Sequence, residues 1–318
     1  MWHTFHCRWI QTHRDGPVFR KLLYLTTAYI EFLCVIWFYT IVHVHLTAET
    51  SLKRKTGFIT IARLLRKKVI IHFHPSGPQI LDNPTNIIDL KSKFSKADLV
   101  LVLSPEWARL IKAKLTISDN VRVLYNPCPT VTRSVLRESY ILFAGTLIPR
   151  KGYADLIRAF AMIAKDFPNW KVKFAGNGET DKAICLAKEC GVDHQIDFLG
   201  WIEGDKKKEA FQHASIYCLA SEGEGFPMGL LDAWAYGIPA VVTPVGGIPD
   251  IVKDGENGLV FPINDTEVLA QKLKQLIEDS RLRNNLVREA DRYVDEVFNI
   301  SHLSKKLSDL YQSLIERS

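Results

Sequence analysis

Residues 221–240 read SEGEGFPMGLLDAWAYGIPA, and this stretch decides the fold. An apolar run at 216–219 precedes it, and a helical pattern begins within it near Met228–Leu230. A strand that passes through a glycine-rich loop into a helix is the building unit of a parallel sheet wrapped by helices. Two carboxylates, Glu224 and Asp232, stand eight residues apart across the loop-to-helix junction. Between them lie the first backbone N–H groups of the helix. Such groups lack intrahelical acceptors and sit at the positive end of the helix dipole, so they suit a phosphate.

The same unit recurs upstream. GTLIPRKG at 145–152 follows an apolar run at 140–144 and precedes a helical pattern over 153–167. In that pattern Leu156, Ile157, Phe160, Ile163, Ala164 and Phe167 recur at helix spacing. Arg150 and Lys151 then fall at the carboxyl ends of the strands, where open α/β sheets bind ligands. A basic loop converging with a helix N-terminus makes a diphosphate cradle. Further strands are expected at 41–46, 69–73, 99–103, 121–125, 172–175, 196–199 and 240–243. Asn126-Pro-Cys-Pro-Thr130 breaks the alternation as a linker does. Ile300, Leu303, Leu307, Leu310, Leu314 and Ile315 form one stripe of a terminal amphipathic helix. The expectation is an α/β protein of two Rossmann-like domains, with parallel sheets and a cleft between them. The domains are 1–133 and 134–298, with a helix over 299–318 packing back toward the first.

Composition sets limits on this reading. The 318 residues, 47% hydrophobic and 24% charged, have room for two domains of ordinary size. Up to Arg133 there are 19 Lys and Arg against 8 Asp and Glu, a net of +11, whereas the remainder carries 22 against 27, a net of −5. A basic first half suits an anionic membrane surface or a phosphorylated lipid, and also a merely solvated face; nucleic acid is not expected. Lys53, Arg54, Lys55, Arg63, Arg66, Lys67 and Lys68 are the candidate cluster. Six cysteines without a CxxC pair or a framework spacing fit reduced thiols in the cytoplasm. The apolar segment 22–46 is interrupted by Glu31 and closed by His43 and His45, so it is read as a buried helix running into a strand. The first twenty residues are polar, basic and aromatic, unlike a cleavable signal.

Four blocks together resemble the family-4 retaining glycosyltransferases of the GT-B fold, the group 1 type, over nearly the whole chain. They are 145–152, the FAGNGE of 174–179, the FLG of 198–200, and 224–242 continuing to the GGIPD of 246–250. Glu224 and Asp232 match the family's E-x7-E motif, with Asp in the second place. In the first half His43-Val-His45, residues 51–55 and Ile71-His-Phe-His74 resemble a bacterial subgroup that builds capsular or exopolysaccharides. That subgroup implies transfer from a UDP- or GDP-sugar to a lipid-linked glycan acceptor, with retained configuration, at the inner face of the plasma membrane.

Carried over to this chain, the resemblance gives Lys151 and Arg150 to the donor diphosphate, with backbone N–H groups of Met228, Gly229 and Leu230. Glu224 would hold hydroxyls of the donor sugar and Asp232 the ribose. His74 would face sugar and acceptor from the opposite domain. Gly145, Thr146, Gly176, Gly200, Trp201, Gly225 and Phe226 complete the implied donor site. No Asp-x-Asp metal anchor is present, and cations in place of a metal are consistent with that. No metal or other cofactor is expected. Departure of a nucleoside diphosphate from an oxocarbenium-like centre makes charge stabilisation on the leaving group the main catalytic task.

Departures from the family pattern are specific. Thr146 stands where Arg is usual, Pro227 where Gly is frequent, and Asp232 where Glu is usual. Pro227 cannot donate an N–H. Cys7-Arg-Trp-Ile-Gln-Thr12 resembles the family's third strand, so roughly 40 residues of the usual fold are expected to be missing. A truncated donor-binding protein without turnover and a nucleotide-sugar epimerase are the rival readings. His43/His45 and His72/His74 share strand faces, yet no Cys or carboxylate stands at ligand spacing. Lys206, Lys207 and Lys208 read as a solvated helix start, and Trp201 as loop packing or as a base-stacking residue.

Overall fold

The computed structural model describes residues 5–14, 16–47, 49–75, 77–117 and 120–316. They form two units, Met1–Tyr125 with Ile300–Ser318, and Asn126–Asn299. Residues 126–133 therefore belong with the second unit. There the Cys128 N–H donates to Phe298 O at 3.0 Å, and Arg133 pairs with Asp291 at 2.6 Å.

In the first unit the chain runs α1 (Val18–Val35), β1 (Ile41–Leu46), α2 (Glu49–Leu64), β2 (Lys68–Phe73), α3 (Pro84–Phe94), β3 (Leu99–Val102), α4 (Pro105–Leu115) and β4 (Val121–Val123). The four strands pair in parallel in the order β1-β2-β3-β4. All four residues of β3 are buried, as an apolar run between two covered faces requires. One face carries Val69, Ile71, Phe73, Val100 and Val102 against Phe32, Ile59, Phe94 and Trp107 of the helices. The other face carries Ile70, Leu99, Leu101 and Leu124 against Leu303, Leu307 and Leu314. These last three lie on the terminal helix, Ile300–Glu316. Helix starts follow local chemistry: the Ser104 hydroxyl accepts from the Trp107 N–H at 3.2 Å, and Pro105 opens α4.

The second unit runs β5 (Tyr140–Ala144), α5 (Tyr153–Ile163), β6 (Lys171–Ala175), α6 (Thr180–Glu189), β7 (Ile196–Gly200), α7 (Gly204–Gln212), β8 (Ile216–Leu219), α8 (Met228–Ala235), β9 (Ala240–Val242), β10 (Leu259–Val260), α9 (Thr266–Glu278) and α10 (Ser280–Tyr293), after which the terminal helix is α11. Its six parallel strands take the order β10-β9-β8-β5-β6-β7. The order reverses between β5 and β8, the place where a doubly wound sheet opens a crevice at its carboxyl edge. The six cysteines are free thiols.

One expectation needs correcting. The segment read as a buried helix is a helix, but only Ala28 and Phe32 of α1, and Ile36 after it, are buried. These three follow an i, i+4, i+8 stripe, too narrow to hide the other apolar side chains. Val18, Phe19, Leu22, Leu23, Ile30, Leu33, Trp37 and Phe38 are exposed, and Glu31 pairs outside with Arg8 at 2.6 Å. By length and apolarity the stretch Val18–Phe38 could cross a membrane.

Candidate active site

β5 and β8 are neighbours, with Ile141 opposite Ile216 and Leu142 opposite Tyr217. Their following loops therefore leave the sheet side by side. The two loops are tied directly: the Glu222 N–H donates to Arg150 O at 2.8 Å, and the Arg150 guanidinium donates to Gly223 O. Gly152 makes this approach possible. Its φ is +67°, and a Cβ there would sit 1.9 Å from Ala220 O.

Lys151 Nζ meets Glu224 Oε1 at 2.6 Å, and the Ser221 hydroxyl donates to the same oxygen at 2.6 Å. Glu224 is 5% exposed. A carboxylate so deeply placed is tolerated only with charged and hydrogen-bonding partners of this kind. Its backbone is fixed as well: Gly246 has φ +58°, and a Cβ on it would lie 1.9 Å from Glu224 O. Gly246, which opens the sequence motif at 246–250, thus packs directly against the Glu224 backbone.

The N-terminus of α8 follows this loop. Met228 and Gly229 are its first residues, whose N–H groups have no acceptor within a helix, while the Leu230 N–H already donates to Pro227 O at 3.1 Å. The other end of the helix is held by cations, which complement its dipole. Arg133 Nη2 donates to Trp234 O at 2.9 Å, and Arg137 Nη2 to Tyr236 O at 2.5 Å. Asp232, on α8, pairs with Lys207 of α7 at 2.7 Å. Trp201 follows Gly200, is 62% exposed as a residue, and its Nε1 donates to Glu203.

The remaining residues of the predicted site divide into framework and surface. Gly145 and Gly176 are packed together, since a Cβ on Gly176 would meet Gly145 O at 1.8 Å. Thr146 is exposed, while Gly225 and Phe226 are buried, with Phe226 against Phe298. Arg150, Lys151 and Glu224 come together; Asp232 is engaged separately. His74 lies in the first unit, just beyond β2. Its ring shares a 2.9 Å hydrogen bond with His45, and burial holds its pKa down at about 4.

Three residues escape the sequence reading. Ser221 stands inside the decisive stretch without an assigned role. Lys207 is one of three consecutive lysines, and nothing local singles it out. Tyr217 is fully buried in β8, and its hydroxyl has no partner among the described residues. It backs Gly229, where a Cβ would meet that oxygen at 2.2 Å. A lone hydroxyl in the run Ile216-Tyr-Cys-Leu219 was the available signal.

Two units of parallel α/β structure, one carrying a basic loop and a helix N-terminus at the carboxyl edge of its central strands, define the GT-B class of glycosyltransferase folds. The chain belongs to the glycosyl transferases group 1 family, whose model matches residues 130–293. It is 33% identical over 181 residues to an uncharacterized glycosyltransferase of Methanocaldococcus jannaschii, covering 56% of this chain and 46% of the relative. It is 29% identical over 194 residues to the Campylobacter jejuni α-1,4-N-acetyl-D-galactosaminyltransferase acting on GalNAc-α-(1→4)-GalNAc-α-(1→3)-diNAcBac-PP-undecaprenol, covering 58% of this chain and 53% of that one. The chain spans about half the length of the curated relatives it matches. Among solved structures, Anabaena HepE in complex with UDP superposes with a TM-score of 0.77 at 18% identity, covering 90% of this chain and 82% of HepE.

Proposed function

We propose that this chain transfers a sugar from a UDP- or GDP-sugar to a lipid-linked glycan, with retention of configuration and without a metal at the diphosphate, in bacterial surface-polysaccharide synthesis. The carrying observation is the pairing of partly buried Lys151 with buried Glu224 beside the opening turn of α8. An incoming diphosphate competes for Lys151, and the N–H groups of Met228 and Gly229 add to its hold. Glu224, giving up part of its pairing, then turns to hydroxyls of the donor sugar. Asp232 takes the ribose, and Trp201 offers a face to the base. Arg150 holds the loop through Gly223 O and adds its charge. As the glycosidic bond breaks, these cations and N–H groups stabilise the charge growing on the leaving phosphate. HepE, whose fold this chain shares, was solved with UDP, and the Campylobacter jejuni relative is named for an undecaprenyl-linked substrate.

The membrane contact that goes with such an acceptor rests on α1 more than on the predicted basic cluster. Lys55 is partly buried, with its Nζ donating to His45 O at 2.5 Å, and Arg63 is paired with Asp98 at 3.0 Å. The exposed apolar residues of α1, with Arg20 and Lys21 among them, have the character of an interfacial helix. The test is incubation with a panel of UDP- and GDP-sugars, with and without a polyprenyl-diphosphate-linked saccharide. One sugar type should be transferred, and NMR should show the donor's anomeric configuration kept, at a rate that added magnesium or manganese does not change. Nucleotide binding without acceptor-dependent turnover would reduce the chain to a donor-binding protein.

A further inference from the structure

We propose that His43, His45 and His72 form a binding site for a transition-metal ion of the zinc type inside the first unit, serving its structure and not the transfer chemistry. β1 and β2 pair so that His45 stands opposite His72, and alternate residues share a face, which gathers His43, His45, His72 and His74 on one side of the sheet. One ring nitrogen from each of His43, His45 and His72 lies within 4.8 Å of the other two. Four-coordinate zinc with Zn–N bonds of about 2.0–2.1 Å needs ligands roughly 3.4 Å apart. Small ring rotations close that difference.

His72 carries the second observation. It is 5% exposed, and neither of its ring nitrogens has a hydrogen-bond partner among the described residues. The Leu124 backbone interacts with the ring, yet neither ring nitrogen makes a full hydrogen bond. A buried imidazole with both nitrogens unsatisfied is a standing cost that a ligand would offset.

The neighbours behave as the outer shell of a metal site does. His43 Nδ1 meets the Tyr311 hydroxyl at 2.6 Å, and His45 Nδ1 meets His74 Nε2 at 2.9 Å. Ligation through Nε2 of His43 and of His45 keeps both bonds, which orient the rings as carboxylate or carbonyl partners do elsewhere. The donor set is three uncharged imidazoles with no oxygen ligand. That chemistry suits zinc, cobalt, nickel or copper and disfavours magnesium and calcium. Tyr311 lies on α11, so the ion would fasten the terminal helix to β1 and β2.

The test uses untagged, chelator-treated protein titrated with Zn2+ by calorimetry and with Co2+ by visible absorption. One equivalent per chain, a d–d band of nitrogen-bound four-coordinate cobalt and a raised Tm are expected. His72→Ala and His43→Gln should each weaken binding at least tenfold. Because His72→Ala in the core could compromise folding, circular dichroism accompanies it and His43→Gln stands as the second variant. Absence of stoichiometric Zn2+ binding by the unaltered protein overturns the site, as does binding that survives both substitutions. The readouts are metal content and spectra, so they stand or fall apart from sugar transfer.

Discussion

Lys207 Nζ lies 2.7 Å from Asp232 Oδ2, joining the start of α7 to the middle of α8. Asp232 is one methylene shorter than the Glu usual at this place, and Lys207 holds its carboxylate in a fixed position. The lysine side chain is 45% exposed, so the pair is worth little to stability. If Asp232 takes the ribose as proposed, its effect falls on the nucleotide instead. Lys207→Ala should raise KM for the donor about threefold and leave kcat unchanged, with Lys207→Arg close to the parent. An unaltered KM would detach this pair from the ribose.

Lys151→Ala removes the cation nearest both Glu224 and the expected diphosphate. Transfer should slow by about 10²-fold or more, and affinity for the preferred nucleoside diphosphate should fall with it. Calorimetric titration with UDP and GDP reads this directly. The substitution also leaves Glu224 buried with Ser221 alone, so a lowered Tm should accompany the loss. Full nucleotide affinity in this variant would take Lys151 out of the site.

Glu224→Gln keeps the size of the side chain and removes its charge. Turnover should drop far more than nucleoside-diphosphate affinity, because the carboxylate is assigned to the sugar. Since Lys151 loses its anionic partner in this variant, nucleotide affinity could even rise. Equal losses in kcat and in affinity would contradict the assignment.

Membrane docking should have two parts. Co-sedimentation with anionic vesicles should weaken as salt rises, with a Debye length of about 8 Å at physiological ionic strength. A salt-resistant remainder should come from α1. Replacing both exposed Leu22 and Leu23 by Glu should cut that remainder about tenfold or more, given the usual gain from burying such side chains. Vesicle binding untouched by the double substitution would clear α1 of the role.

How much of this was legible in the sequence depended on whether the deciding contact was local. β5 and β8 begin and end where their apolar runs do, because strands covered on both faces are built mainly from apolar residues. β10 escaped notice because two residues make no pattern. The exposure of α1 was illegible for a different reason: apolarity says what could be buried, and the width of the packed stripe says what is. Each His-x-His pair was visible on its own strand, but the register that sets His45 against His72 belongs to strand pairing. Lys207 looked like its two neighbours because its partner lies 25 residues on, across a strand and a loop. Glu224 was legible by its motif, whereas the Ser221 hydroxyl on its carboxylate and the close packing of Gly246 on its backbone required the fold.

The placement of α11 makes the birth of this protein asymmetric. The second unit is continuous in sequence and has all its strands once Asn299 is made. The first unit begins earlier and finishes last. Ile70, Leu99, Leu101 and Leu124 await Leu303, Leu307 and Leu314, which the ribosome adds only after the whole second unit. At about 5–20 residues per second that apolar sheet face stays bare for roughly 10–40 s. Nascent chains should therefore engage chaperones through the first unit, although it emerges first. A stop codon just ahead of Ile300 would release a well-folded second unit joined to an unfinished, aggregation-prone first one.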